Sequence, residues 1–221
     1  MTMLDAIGPY EVFAQLPKAE VFFVAKNKGE IKSDTGYVHL NAKYDFDNVI
    51  EADILVVPGS TIAFVKVMKD KKTLDWIRKV DKTTKYTTSV CSGSLILAAA
   101  GLLKGLKATS HWKPINLLKD FGAIPVRKRF IHEGKIITAA GVSAGIDMAL
   151  YLVNEIAGEQ RAKSIQLLIE YDPSPIYNSG NYTTCESDII EKAERQLSRN
   201  AKKELSLFDA ITNLKTLKKI K

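Results

Sequence analysis

Cys91 stands where a β-branched run, Thr87-Thr88-Ser89-Val90, passes within a few residues into the apolar helical pattern of Leu95 to Ala100. A side chain at the start of a helix meets unpaired N–H groups and the positive end of the helix dipole, and both favour a thiolate over a thiol. The placement predicts a cysteine of lowered pKa, accessible enough to act as a nucleophile. A buried, inert thiol is the competing reading, because free cysteines pack as small hydrophobes.

The other residues that could join such chemistry each have a plainer role. Asp5 reads as the N-cap of a helix over Gly8 to Ala14. Gly59 closes the run Ile54 to Val57, where a tight turn after a strand favours glycine. Ser92 could cap the first turn of the helix after Cys91. His111, beside Trp112, reads as a packed, hydrogen-bonded side chain or as a group of the site. Gly141, Val142 and Ser143 form a strand-to-helix turn expected to border the same pocket, where a close backbone approach would explain the glycine. Asp147, one turn further on, reads as structural, and Cys185 follows a polar Asn-Ser-Gly-Asn segment with no partner in sight.

The elements that must position these groups alternate. Short apolar runs, Glu20 to Ala25, Ile54 to Val57, Tyr86 to Val90 and Lys135 to Ala139, fall between helical patterns. The helices are expected at Gly8 to Ala14, Lys72 to Val80, Ser92 to Ala100, Pro114 to Phe121, Ala144 to Ala157 and Glu159 to Ile169. That order predicts an α/β fold, a doubly wound, flavodoxin-like, mostly parallel sheet with helices on both faces in a three-layer sandwich. Glu133-Gly134 between Val126 to His132 and the following KIITA run reads as a β-hairpin. Gly101 should stop its helix in the left-handed conformation. Residues 1–221 are expected as one domain, with 188–221 a charged helical extension. A doubly wound domain opens on a buried strand, whereas this sequence opens on the segment that would follow one, so the first strand is expected upstream of Met1.

Composition narrows the function classes. The 221 residues carry a formal net charge of +7, but the lysines are dispersed apart from Lys66 to Lys72 and the tail, and no stacking aromatics interleave them. They read as solvated faces, with neither nucleic acid nor membrane as a partner. The two cysteines have no CxxC or metal-ligand spacing, so no disulfide and no metal site are expected. No run of about 18 apolar residues and no secretory leader occurs, which points to a cytoplasmic protein.

Six blocks in order carry a resemblance: DAIGPYEVFAQLP from Asp5, ILVVPG from Ile54, SVCSGSLILAAAGLLKG from Ser89, ATSHW from Ala108, ITAAGVSAGIDMALYLV from Ile137 and IQLLIEYDPSP from Ile165. Together they resemble the isonitrile hydratases, within the PfpI-like and ThiJ-like superfamily related to class I glutamine amidotransferase domains. The resemblance implies hydration of a small-molecule isonitrile to an N-substituted formamide, with no cofactor and in a homodimer. By that likeness Cys91 attacks the isonitrile carbon, with Cys91 the residue of a nucleophile elbow. Asp5 serves the thiol and the proton, and Ser92, where relatives carry Thr, assists in positioning or proton relay. Gly59, Ser60, His111, Gly141 and Val142 line the substrate side, with a Gly59 N–H offered to the intermediate. Ser60 departs from the pattern, since the family has a second glycine there. Ser92 also replaces the His of protease-like members, which argues against a peptidase. Two alternatives stay open: another cysteine protein of the superfamily, glyoxalase-like, deglycase-like or redox-sensing, and a ligand-sensing domain like those of AraC-type regulators. Asp5, where the former carry Glu, and a tail too short for two helix-turn-helix units weigh against them.

Overall fold

The structure is a computed structural model that describes the backbone of residues 1–217 and side chains through 205. It divides into two compact units, Met1–Pro173 and a second beginning at Ser174. The first opens with α1 (Met3–Phe13), followed by short strands β1 (Val24–Ala25), β2 (Gly29–Lys32), β3 (His39–Ala42) and β4 (Tyr44–Asp45). Then come β5 (Ile54–Val57), α2 (Phe64–Val67), α3 (Lys71–Asp81), β6 (Tyr86–Val90) and α4 (Gly93–Ala99). After β7 (Lys107–Ala108) and a 3₁₀ helix over Ile115–Phe121, the chain forms β8 (Ile124–Pro125), β9 (Phe130–Glu133) and β10 (Ile136–Ala139), then α5 (Ala144–Ala157) and α6 (Glu159–Leu168). The second unit holds α7 (Ser187–Leu217), the described part of the expected 188–221 extension; residues 218–221 lie outside the described residues.

The principal sheet runs β5-β6-β10-β9, parallel except for β9. All four residues of β10 are buried, as a central parallel strand covered on both faces requires. One face packs against α2, α3, α4 and the 3₁₀ helix through Leu74, Ile77, Val80, Leu95, Leu97 and Leu118. The other packs against α1, α5 and α6 through Val12, Met148, Leu152, Val153 and Ile165. These are the three layers of a doubly wound α/β fold. The hairpin forms in register, Glu133 opposite Ile136, with Gly134 at φ 62°. Gly101 takes φ 84°, and the Leu102 N–H donates to the Leu97 carbonyl at 3.1 Å, a Schellman closure.

Two expectations are corrected. Of Glu20 to Ala25 only Val24–Ala25 is a strand, paired on one side with β4, and Val21 and Phe22 are exposed: a single two-residue ladder cannot hold a six-residue strand. The first helix starts at Met3, so Asp5 lies in its first turn and Thr2 takes the N-cap position.

Close approach at one glycine sets the loop before the site. A Cβ on Gly93 would overlap the carbonyl oxygen of Val57, so β5 and α4 touch backbone to backbone. Gly93→Ala is expected to lower stability by about 3 kcal/mol or more, measured as the urea midpoint. A change within about 0.5 kcal/mol would contradict this packing.

Candidate functional site

The β6–α4 junction places Cys91 at φ 60°, a left-handed conformation that strains a residue with a Cβ by about 1 kcal/mol or more. Four hydrogen bonds hold it there. The Cys91 N–H is shared between the carbonyls of Ala139 at 3.1 Å and Ala140 at 2.7 Å. Its carbonyl accepts from the hydroxyls of Ser94 at 3.2 Å and Ser110 at 3.0 Å.

The loop after β5 and the start of α1 close around the thiol. Asp5 is completely buried, and its Oδ2 accepts the Gly59 N–H at 2.9 Å. Oδ1 has no partner of regular geometry among the described residues, and the carboxyl is left within hydrogen-bonding reach of the Cys91 thiol, a looser contact. The Ser92 N–H and hydroxyl also lie within reach of the sulfur. That hydroxyl accepts the Ser60 N–H at 2.9 Å and donates to the Ser60 carbonyl at 2.9 Å. With its one proton committed to a carbonyl, Ser92 fits positioning better than relay, and it makes no capping bond to α4. Ser60 Oγ accepts the Phe64 N–H at 2.7 Å, ahead of α2, a bond that a second glycine could not make.

Gly59 is required by space as well as by the turn. A Cβ there would stand 2.6 Å from both Ser92 N and Ser92 Oγ. Its N–H points to Asp5, not to an empty pocket, which corrects the expectation that it is offered to an intermediate. Gly141 needs no such explanation: a Cβ would meet His111 Cδ2 at an ordinary 3.7 Å. His111 and Gly141 are therefore neighbours, and Val142 is half-buried in the same turn. Burial pushes the His111 pKa down, so its ring is neutral at pH 7, and Nδ1 accepts the Lys113 N–H at 3.3 Å. Asp147 is paired with Arg129 and accepts the Tyr171 hydroxyl at 3.0 Å.

Electrostatics overturn the expected thiolate. Cys91 is only 5% exposed. Burial and the neighbouring Asp5 carboxyl push the thiol pKa up, outweighing the Ser92 N–H. The helix start does not hold a thiolate here, because α4 has just seven residues and the thiol is withdrawn from water. Burial likewise raises Asp5 from 3.8 to about 7, the Asp34 charge adding to it against the Gly59 hydrogen bond. Two buried anions in contact are disfavoured, so near neutrality the pair keeps at least one proton. Sequence reading missed Asp34 and Ser110. Ser110 adjoins the singled-out His111, but Asp34 sits in a Ser-Asp-Thr-Gly turn that looks like any surface turn.

Residues 1–155 match the model of the DJ-1/PfpI family. The chain belongs to the DJ-1/PfpI family. Within it, the chain is similar to an isonitrile hydratase of Pseudomonas putida, 40% identical over 199 residues, 90% of this chain and 86% of that enzyme. A solved ThiJ/PfpI family protein from Pseudomonas syringae is 38% identical with a TM-score of 0.86, covering 94% of this chain and 86% of that one. An HTH-type transcriptional regulator of Pseudomonas aeruginosa is 34% identical over 94 residues, 42% of this chain and 28% of the regulator. Among the described residues no helix is long and apolar enough to cross a membrane. None of the His, Cys, Asp and Glu side chains described groups in threes that could hold a metal.

Folding keeps a proton on Asp5 that the unfolded chain releases near 3.8. The stabilisation is complete below that value and is lost as pH rises through about 7. Melting of the parent protein is expected to weaken across this interval, by up to about 4 kcal/mol. Asp5→Asn, which keeps an oxygen for Gly59 and cannot ionise, should flatten the dependence. An equally steep dependence in both proteins would show that Asp5 does not titrate there.

Proposed function

We propose that this chain hydrates an organic isonitrile to the corresponding N-substituted formamide, with Cys91 as nucleophile and Asp5 as the group that moves the proton. The observation that carries the reading is the buried Asp5 carboxyl set against the Cys91 thiol, with Gly59 holding its other oxygen. The similarity to the P. putida isonitrile hydratase, which covers 90% of this chain, supports it.

The terminal isonitrile carbon forms both new bonds at one atom, so it needs a sulfur and a proton from the same place. In the one-proton state the Asp5 carboxylate takes the thiol proton as sulfur attacks, then delivers it to that carbon. The S–H bond breaks and C–S and C–H bonds form, giving a thioimidate, R–N=CH–S–Cys91. Water adds to its C=N bond, and the C–S bond breaks to release R–NH–CHO and restore the thiol. Atoms and electrons balance without a co-reactant other than water. Within this reading the strained residue at the strand-to-helix junction is a nucleophile elbow. Ser92 and Ser60 hold its walls, and neutral His111 with Gly141 and Val142 forms the substrate side.

A homodimer belongs to the same reading. A cavity of about 420 Å³ lined by Leu4, Ile7, Ile146, Leu168, Ile169 and Tyr171 lies along α1 and α5, and Leu4, Leu167 and Leu168 expose apolar surface. Sedimentation of a monomer at micromolar concentration would remove the dimer.

Incubation with cyclohexyl isonitrile should yield the formamide. Cys91→Ala is expected to abolish turnover, and Asp5→Asn to lower kcat/KM by about 100-fold or more. The parent rate should rise with a midpoint near the Asp5 value of about 7, because the doubly protonated pair lacks a base. Formamide formation by Cys91→Ala at the parent rate would end this proposal.

A further inference from the structure

Asp34 belongs to no sequence motif, yet the hairpin turn between β2 and β3 brings its carboxylate against the site. Asp34 Oδ2 accepts three hydrogen bonds: from the Thr2 hydroxyl at 2.8 Å, the Thr61 N–H at 2.9 Å and the Thr61 hydroxyl at 3.1 Å. Its side chain is 12% exposed. Both residues it grips touch the reacting pair's support. The Thr2 N–H donates to the Gly59 carbonyl at 3.0 Å, while the Gly59 N–H donates to Asp5. Thr61 follows Ser60, whose N–H and carbonyl lock the Ser92 hydroxyl.

We propose that Asp34 is a positioning residue for the Asp5–Cys91 pair: its carboxylate anchors the turn from Gly59 to Thr61 and sets a like charge beside the Asp5 carboxyl. The proposal rests on reading Asp5 and Cys91 as the reacting groups. Hydrogen bonds alone would be a structural role, which Ser or Asn could fill. The charge adds something different, since like charges that cannot be hydrated resist simultaneous ionisation. Asp34 is among the causes that raise Asp5, after burial. The charged and titratable groups facing this cluster are few. The amino group of Met1 lies 3.1 Å from Asp34 Oδ1 and acts on Asp5 in the opposite sense, and Cys91 lies beyond Asp5. The turn from Gly59 to Thr61 brings hydroxyls and amides only.

The consequence is a site in which a residue away from the sulfur sets the pH at which the base becomes available. Asp34→Asn removes the charge and keeps an acceptor for Thr61; Asp34→Glu keeps the charge. Each is compared with the parent by the pH dependence of iodoacetamide labelling of Cys91, which needs no isonitrile and in which the Asp5 carboxylate takes the thiol proton as sulfur attacks, so that its midpoint follows Asp5, and by kcat/KM for cyclohexyl isonitrile. We expect the labelling midpoint of Asp34→Asn to fall by roughly half a pH unit or more, with the plateau rate within about threefold of the parent. Asp34→Glu should retain the parent midpoint. Should the amide variant fail to fold, Asp34→Ser replaces it with the same expectation. A midpoint that stays where the parent has it, in a folded variant lacking the charge, overturns the proposal. A shifted midpoint in labelling with no hydration by any protein would leave the role of Asp34 standing and dispose of the hydratase reading instead.

Discussion

A carboxyl and a thiol that cannot both be charged share one buried place between α1 and the start of α4, and much of the surrounding structure is arranged to keep them there. Withdrawing an ionisable group from water is unfavourable unless polar partners are supplied. The chain supplies them sparingly. Asp5 receives one firm N–H, from Gly59, and the sulfur faces Ser92. Everything else around the pair is spent on fixing those two donors. Gly59 has no room for a Cβ, Ser92 and Ser60 exchange two hydrogen bonds, and the backbone of Cys91 is held in a left-handed conformation from four directions. A strained nucleophile persists only where its surroundings over-determine it.

This balance inverts the usual account of an activated cysteine. A thiolate held by a helix dipole is nucleophilic before substrate arrives. In the proposed hydration the proton stays until a carbon is present to take it, which suits a substrate that needs that same proton on the same atom. Burial serves the same end, since a resting thiol withdrawn from solvent is less open to oxidation.

The layers of the fold were legible because burial on both faces writes continuous apolar runs into strands such as Ile54–Val57 and Ile136–Ala139, and an amphipathic or apolar period into Ala144–Ala157. Gly134 and Gly101 marked their turns through positive φ. The β2–β3 hairpin escaped because its residues alternate weakly and pack on one side only. In the site, Cys91 and Asp5 could be named from the sequence through their blocks, but their state could not. The sign of the thiol's shift depends on burial and on a carboxyl 86 residues away, which no local pattern encodes. Gly59, expected to serve the intermediate, serves Asp5; Asp34, invisible as one polar residue in a turn, grips Thr61 of that loop and Thr2, whose N–H holds the Gly59 carbonyl.

The membership in the DJ-1/PfpI family fixes the scaffold, while the choice among chemistries rests on one proton. Infrared difference spectroscopy of the parent against Asp5→Asn, run across pH alongside ultraviolet thiolate absorbance, follows that proton directly. The account predicts a carboxylic-acid band that gives way to carboxylate with a midpoint near 7, while thiolate absorbance stays absent until strongly alkaline pH. A carboxylate already formed in the ordinary range near 3.8, or a thiolate present at neutral pH, would contradict it.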